Sequence, residues 1–122
     1  MGWPRAEIEE AFTAYVAAGA EAGRSGDWSK WPDIFTEDCE YIEHMYGVFT
    51  GRDAVREWIT KTMGEYPGNL MHEFPINWYM IDEETGRVVC VSLVPHRNAL
   101  MRNPQRRASE KIFGQCSKRV AL

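Results

Sequence analysis

Cysteine is too sparse in this sequence to organise the fold. The chain has three cysteines, Cys39, Cys90 and Cys116, which is an odd number at wide spacing. That pattern excludes a disulfide framework and the paired spacing of a zinc site. The three histidines are also scattered and have no carboxylates at ligand spacing, so the sequence predicts no metal. We therefore expect reduced packing cysteines in a cytoplasmic protein.

Long apolar runs are also missing. No stretch approaches the roughly 20 residues that a membrane-spanning helix needs, and the first residues do not have the pattern of a signal peptide. The sequence therefore predicts no membrane partner. Hydrophobic residues still make up 44 % of the 122 residues and aromatic residues 12 %, which is enough for one domain around one core.

The first part of the chain is poor in basic side chains, and the last part is poor in acidic ones. Residues 1–94 carry 7 basic and 17 acidic side chains, whereas residues 95–122 carry 7 basic and 1 acidic. The net charge therefore changes from −10 to +6 at one point, and the later segment has a single aromatic residue, Phe113. We predict one domain over residues 1–94 and an atypical basic tail over residues 95–122.

The tail has two interpretations. A basic segment could be an arm that binds nucleic acid, or it could be an unrelated or out-of-frame sequence without a function. Pro95 and Pro104 interrupt it, and it lacks the interleaved aromatic residues that stack on bases. We favour the second interpretation and expect no nucleic-acid partner.

The order of periodic segments predicts an α+β fold. Early segments have helical periodicity, and later ones alternate like strands. The predicted elements are a helix over 5–23, a short helix over 27–35, a strand over 39–44, a turn between Gly47 and Gly51, a helix after a capping box formed by Thr50 and Asp53, and two antiparallel strands over 70–81 and 87–94. We expect the helices to pack on one face of an antiparallel sheet.

Three stretches in this order resemble a known family. They read GDWSKWPDIFTEDCEYIEH, GVFTGRDAVREWI and FPINWYMIDEETGRVV. Together they are similar to SnoaL-like proteins of the nuclear-transport-factor-2-like superfamily, which includes ketosteroid isomerases, scytalone dehydratase and polyketide cyclases. The resemblance covers roughly residues 6–91. It implies a curved antiparallel sheet in a cone-like, cystatin-like roll, with N-terminal helices closing an apolar cavity. The tail lacks the strands that complete this cone in the family, so we expect an incomplete roll.

The resemblance also gives Glu43 a role. In ketosteroid isomerases the strand after the second helix carries the general base, and Glu43 falls on that position. Tyr41 lies on the same strand face and would line the pocket below it. A carboxyl group in an apolar pocket has its charged form disfavoured, which suits it to proton transfer beside a carbonyl. The alternative is a Glu43 at the exposed end of the strand, in water or paired with an arginine.

Two further polar residues are candidates by resemblance. Tyr15 would donate a hydrogen bond to a developing oxyanion, although it lies about one helical turn from the isomerase position. His72 lies near the position of a catalytic histidine in scytalone dehydratase. The alternatives are a core tyrosine and a structural histidine. Three tryptophans, Trp31, Trp58 and Trp78, would line the ligand pocket or belong to the core.

Two hypotheses about function follow. The first is a cavity protein that transfers a proton on a small apolar carbonyl compound, as an isomerase, dehydratase or cyclase, with no cofactor because this chemistry needs only positioned acid and base groups. The second is a non-catalytic module of the same fold, for ligand binding or dimerisation, or a truncated remnant. A homodimer is left open under both hypotheses.

Overall fold

The computed structural model describes residues 2–92 of the chain. These residues form α-helices, short β-hairpins and 3₁₀ turns. In chain order the elements are α1 Arg5–Ser25, a first 3₁₀ turn Trp31–Ile34, β1 Glu40–Glu43, β2 Gly47–Thr50, α2 Arg52–Gly64, a second 3₁₀ turn Gly68–Leu70, β3 Ile76–Asp82 and β4 Arg87–Ser92. The α+β class predicted from the sequence is confirmed.

Helix α1 has the boundaries that its flanking residues favour. Pro4 precedes the first turn, where a missing N–H costs nothing. Gly26 closes the helix with φ at 77°, and its N–H donates to the Ala22 carbonyl at 2.9 Å. On the inward stripe Ile8 is buried, and Phe12 and Tyr15 are half-buried.

The predicted short helix over residues 27–35 is wrong, since only the 3₁₀ turn Trp31–Ile34 forms there. The Asp27 carboxylate accepts hydrogen bonds from the Ser29 N–H at 3.0 Å and the Ser29 hydroxyl at 2.5 Å. The bond to the Ser29 N–H is one that an N-cap residue makes, but Pro32 has no N–H to continue the helical ladder. The segment instead turns Trp28, Trp31 and Phe35 inward, and all three are buried.

The sequence predicted a turn between Gly47 and Gly51, whereas the structure has strand β2 there. Gly47 instead ends a turn over residues 44–46, with φ at 102°, and begins the returning strand. The register pairs Glu43 with Gly47 and Tyr41 with Phe49. Thr50 pairs with Glu40 and does not cap α2, whose N-cap is Gly51 without a side-chain bond. The capping-box prediction is therefore also wrong.

The second hairpin begins later than expected. The strand predicted over 70–81 runs only from Ile76 to Asp82, with a bulge between Ile76 and Trp78. Pro75 cannot donate to a strand ladder, and its carbonyl accepts from the Ser92 hydroxyl at 2.8 Å. The antiparallel pairing of β3 with β4 is confirmed.

One aromatic core joins the helices to the first hairpin. Trp31 is its centre, with ring centroids 5.7 Å from Trp28, 5.0 Å from Phe35 and 6.0 Å from Tyr41. The buried stripe of α2, formed by Val55, Ile59 and Met63, completes the cluster. This core makes the inner faces of β1 and α2 neighbours.

The prediction of a basic tail over residues 95–122 lies outside the described residues. Within residues 2–92 no helix is long and apolar enough to cross a membrane.

Candidate ligand-binding site

Glu43 lies at the end of β1, on the strand face that points to the core. Burial alternates along this segment as the sequence predicted, with Cys39, Tyr41 and Glu43 half-buried and Glu40 and Ile42 exposed. The inward parity of Glu43 follows directly from this alternation.

The Glu43 carboxylate is held by the hairpin turn. Its Oε2 atom accepts hydrogen bonds from the Met45 N–H at 2.7 Å and the Tyr46 N–H at 2.9 Å. No donor among residues 2–92 reaches Oε1. One oxygen therefore fixes the side chain, and the other is left to accept a proton or a hydrogen bond.

Aromatic rings surround the same end of the hairpin. Trp58, from α2, lies with its ring centroid 5.2 Å from Tyr41, 5.7 Å from Tyr46 and 4.9 Å from Phe49. The Trp58 indole nitrogen is buried and has no hydrogen-bond partner within the described residues. An apolar wall with one unused N–H donor can hold a flat molecule that carries an acceptor.

The other two predicted polar residues, Tyr15 and His72, contact different regions of the fold. The Tyr15 ring lies 6.2 Å from that of Trp31, which in turn lies 6.0 Å from the Tyr41 ring. His72 Nδ1 is 3.2 Å from the Gly23 carbonyl oxygen, at the end of α1. His72 is thus held against α1, Trp31 lies between Tyr15 and the first hairpin, and the roles of Tyr15 and His72 remain predictions.

The three predicted tryptophans have different environments. Trp31 is buried in the core, and Trp58 is half-buried beside the hairpin. Trp78 is 52 % exposed on the face of β3 that carries Met80. The other face of β3 packs on α1, where the Tyr79 and Phe12 rings lie 4.9 Å apart.

Two arginines that sequence reasoning did not single out fix this interior. Arg52 donates from Nε at 2.8 Å and from Nη2 at 2.5 Å to the Phe35 carbonyl. Arg56 donates to the Ser29 carbonyl and forms an ion pair with Asp33 at 2.6 Å. The two arginines are four residues apart in GRDAVR, a spacing that places both on one side of a helix. That spacing was the sequence signal that both could bind the same segment of the chain.

A shallow, open depression of about 610 Å³ lies on the face of α2 opposite the buried stripe. Its lining residues are Ser29, Asp53, Arg56, Glu57, Thr60 and Lys61. Charges of both signs alternate there, and none of the predicted site residues lines it. Across residues 2–92 no three His, Cys, Asp or Glu side chains are grouped so as to hold a metal ion.

Comparison with known families places these features in context. A family model described as a SnoaL-like domain matches residues 3–115, which confirms the resemblance seen in the sequence. No curated protein and no solved structure gave a significant match. The matched range crosses the boundary predicted between residues 94 and 95, and the division of the chain at that point remains a prediction.

Proposed function

Because the chain belongs to the SnoaL-like domain family of the nuclear-transport-factor-2-like superfamily, whose fold binds small molecules, we propose that it binds a small apolar carbonyl compound and transfers a proton on it. The observation that carries this proposal is the placement of Glu43. Glu43 is half-buried on the inward face of the first hairpin, and its carboxylate lies at the exposed turn, with Oε2 anchored and Oε1 unused by residues 2–92.

The chemistry needs only this oriented base and a ketone. Oε1 takes a proton from the carbon beside the carbonyl, which leaves an enolate, and the proton returns to the same or a conjugated carbon. The net change is an isomerisation or an exchange of hydrogen, with no cofactor consumed. The aromatic walls from Tyr41 and Phe49 hold the apolar body of the compound and exclude water.

Replacing Glu43 with glutamine should remove the base and keep the hairpin. The amide oxygen of glutamine can still accept from the Met45 and Tyr46 N–H groups, so melting should change little. We expect hydrogen–deuterium exchange at the acidic carbon of 2-tetralone, followed by NMR in D₂O, to slow at least about 100-fold.

The matched control for this test is Glu40→Gln. Glu40 lies on the same strand with its side chain exposed on the opposite face, so its variant should exchange the probe at the wild-type rate. Equal rates for Glu43→Gln and the wild type would contradict the base role. If the protein binds 2-tetralone but the ketone hydrogen exchanges no faster than in solvent alone, the protein is a non-catalytic binding protein.

Self-association is a second candidate function, favoured by the outer face of the second hairpin. Trp78, Met80 and Val89 are all exposed on this face, although each is large and apolar. SnoaL-like domains often form dimers. We propose that a second copy of the chain covers this face.

Replacing Trp78 with lysine should therefore weaken the dimer. A charge at the centre of an apolar contact has to be desolvated on association, so we expect at least a tenfold rise in the dimer dissociation constant, about 1.4 kcal/mol. Sedimentation equilibrium measures this constant. Val48→Lys, at an exposed residue of the first hairpin, is the control that should leave it unchanged. A monomeric wild type would refute the proposal.

A further inference from the structure

Trp58 has a buried hydrogen-bond donor that the fold does not use. Within residues 2–92 its Nε1 is the buried side-chain polar atom without a partner, whereas other buried polar side chains there are satisfied. Buried N–H groups are rarely left without an acceptor, because desolvation is then uncompensated. A tryptophan kept in such a position needs an acceptor that comes from outside the described residues.

The surroundings of Trp58 define what that acceptor can belong to. Its ring is flanked by the rings of Tyr41, Tyr46 and Phe49 at centroid distances of 5.2, 5.7 and 4.9 Å. Such rings favour a flat apolar body that stacks or meets them edge to face. The molecule that fits is therefore largely apolar and carries a hydrogen-bond acceptor near the indole nitrogen.

The hairpin turn links this donor to the candidate base. The Tyr46 ring packs against Trp58, and the Tyr46 backbone N–H donates to the Glu43 carboxylate at 2.9 Å. Glu43 and Tyr41 share the inward face of β1. A compound resting on Tyr41 would therefore lie beside the Trp58 ring and on the strand face that carries Glu43.

We infer that the Trp58 indole N–H binds the carbonyl oxygen of the compound and stabilises the charge that develops there. This assignment rests on the proposed function and adds to it the donor that selects carbonyl compounds over hydrocarbons. When Glu43 removes the neighbouring proton, negative charge moves to the carbonyl oxygen. A hydrogen bond from Nε1 then strengthens in the enolate, which is the condition for lowering the barrier.

The test compares two probes of one shape. 2-Tetralone has a carbonyl group, and 2-methylenetetralin has a methylene group in place of the carbonyl oxygen. We expect the wild type to bind the ketone about 3–10-fold more tightly, the range of one net hydrogen bond. Trp58→Phe keeps an aromatic ring but has no N–H, so this variant should bind the two probes with about equal affinity. Trp3→Phe, the same change at a half-exposed tryptophan, should retain it.

A second measurement reports the hydrogen bond itself in the wild-type protein. In a proton–nitrogen spectrum each tryptophan gives one indole resonance, and that of Trp58 is the one lost in Trp58→Phe. On binding 2-tetralone this resonance should move downfield, and with 2-methylenetetralin it should not. If Trp58→Phe fails to fold, nuclear Overhauser contacts of the indole with the Tyr41 and Phe49 rings assign the resonance in the wild type.

The outcomes separate this inference from the proposed function. Equal affinity of the two probes for the wild type, or a Trp58 indole resonance unmoved by bound 2-tetralone, overturns the donor role and leaves the binding function standing. Failure of both probes to bind overturns the proposed binding of apolar carbonyl compounds, and the donor role with it. Loss of ketone preference in Trp58→Phe with its retention in Trp3→Phe supports the inference.

Discussion

Replacing Trp31 with alanine should lower the free energy of unfolding by about 3–5 kcal/mol. Trp31 is 6 % exposed and its ring contacts those of Tyr15, Trp28, Phe35 and Tyr41, so truncation removes contacts from α1, from the segment after it and from β1 at once. Small domains are stable by roughly 5–15 kcal/mol, so the variant would lose a large share of its stability. Urea unfolding followed by circular dichroism measures the loss.

The control for this prediction is Trp78→Ala. Trp78 is 52 % exposed, and we expect its truncation to cost less than about 1 kcal/mol when the protein is dilute enough not to self-associate. Similar losses for the two variants would mean that Trp31 is not the centre of the core.

Replacing Gly23 with alanine should destabilise the protein by about 3 kcal/mol, although alanine is the better helix former. A Cβ atom on Gly23 would overlap the His72 carbonyl oxygen and lie 2.9 Å from its carbon. Both are backbone atoms, so relief requires moving α1 away from the segment before β3. That movement would break the contact between His72 Nδ1 and the Gly23 carbonyl.

Gly64→Ala is the matched variant, since Gly64 is also helical. Nothing lies within 4 Å of a Cβ placed there, so we expect no loss and a gain of about 0.5–1 kcal/mol from helix propensity. Chemical denaturation of the pair resolves the difference. A Gly23→Ala variant as stable as the wild type would show that His72 does not press on α1.

Local signals in the sequence were sufficient for several elements. The start of α1 was predicted correctly at residue 5, because Pro4 acts through its own backbone geometry, whereas its end was predicted at residue 23 and the helix runs to Ser25 before Gly26 closes it. The alternation from Cys39 to Glu43 indicated the inward face of β1, since the period of a strand needs no knowledge of its partner. The quoted motifs identified the family, and with it a fold that binds small molecules.

Other elements depended on contacts between distant residues. The expected strand from residue 70 does not begin until Ile76, because the chain before it packs on Gly23 of α1. The expected second helix contracts to one turn, while Arg52 and Arg56 of α2 bind the carbonyls of Phe35 and Ser29. These hydrogen bonds join residues that are 17 and 27 positions apart in the sequence, so no local periodicity indicates them.

The candidate site also has features that the sequence predicted and features that depended on tertiary contacts. Sequence by itself determined the strand parity that Glu43 shares with Tyr41, since that parity and the family resemblance both depend on a few consecutive residues, and it left open whether Glu43 lies at the exposed end of the strand. Only the tertiary structure decided that Oε2 is bound by the hairpin turn and that the Trp58 N–H is left without a partner among residues 2–92. The physical reason is that hydrogen-bond satisfaction is a property of three-dimensional surroundings, which α2 and the hairpin create only by packing together.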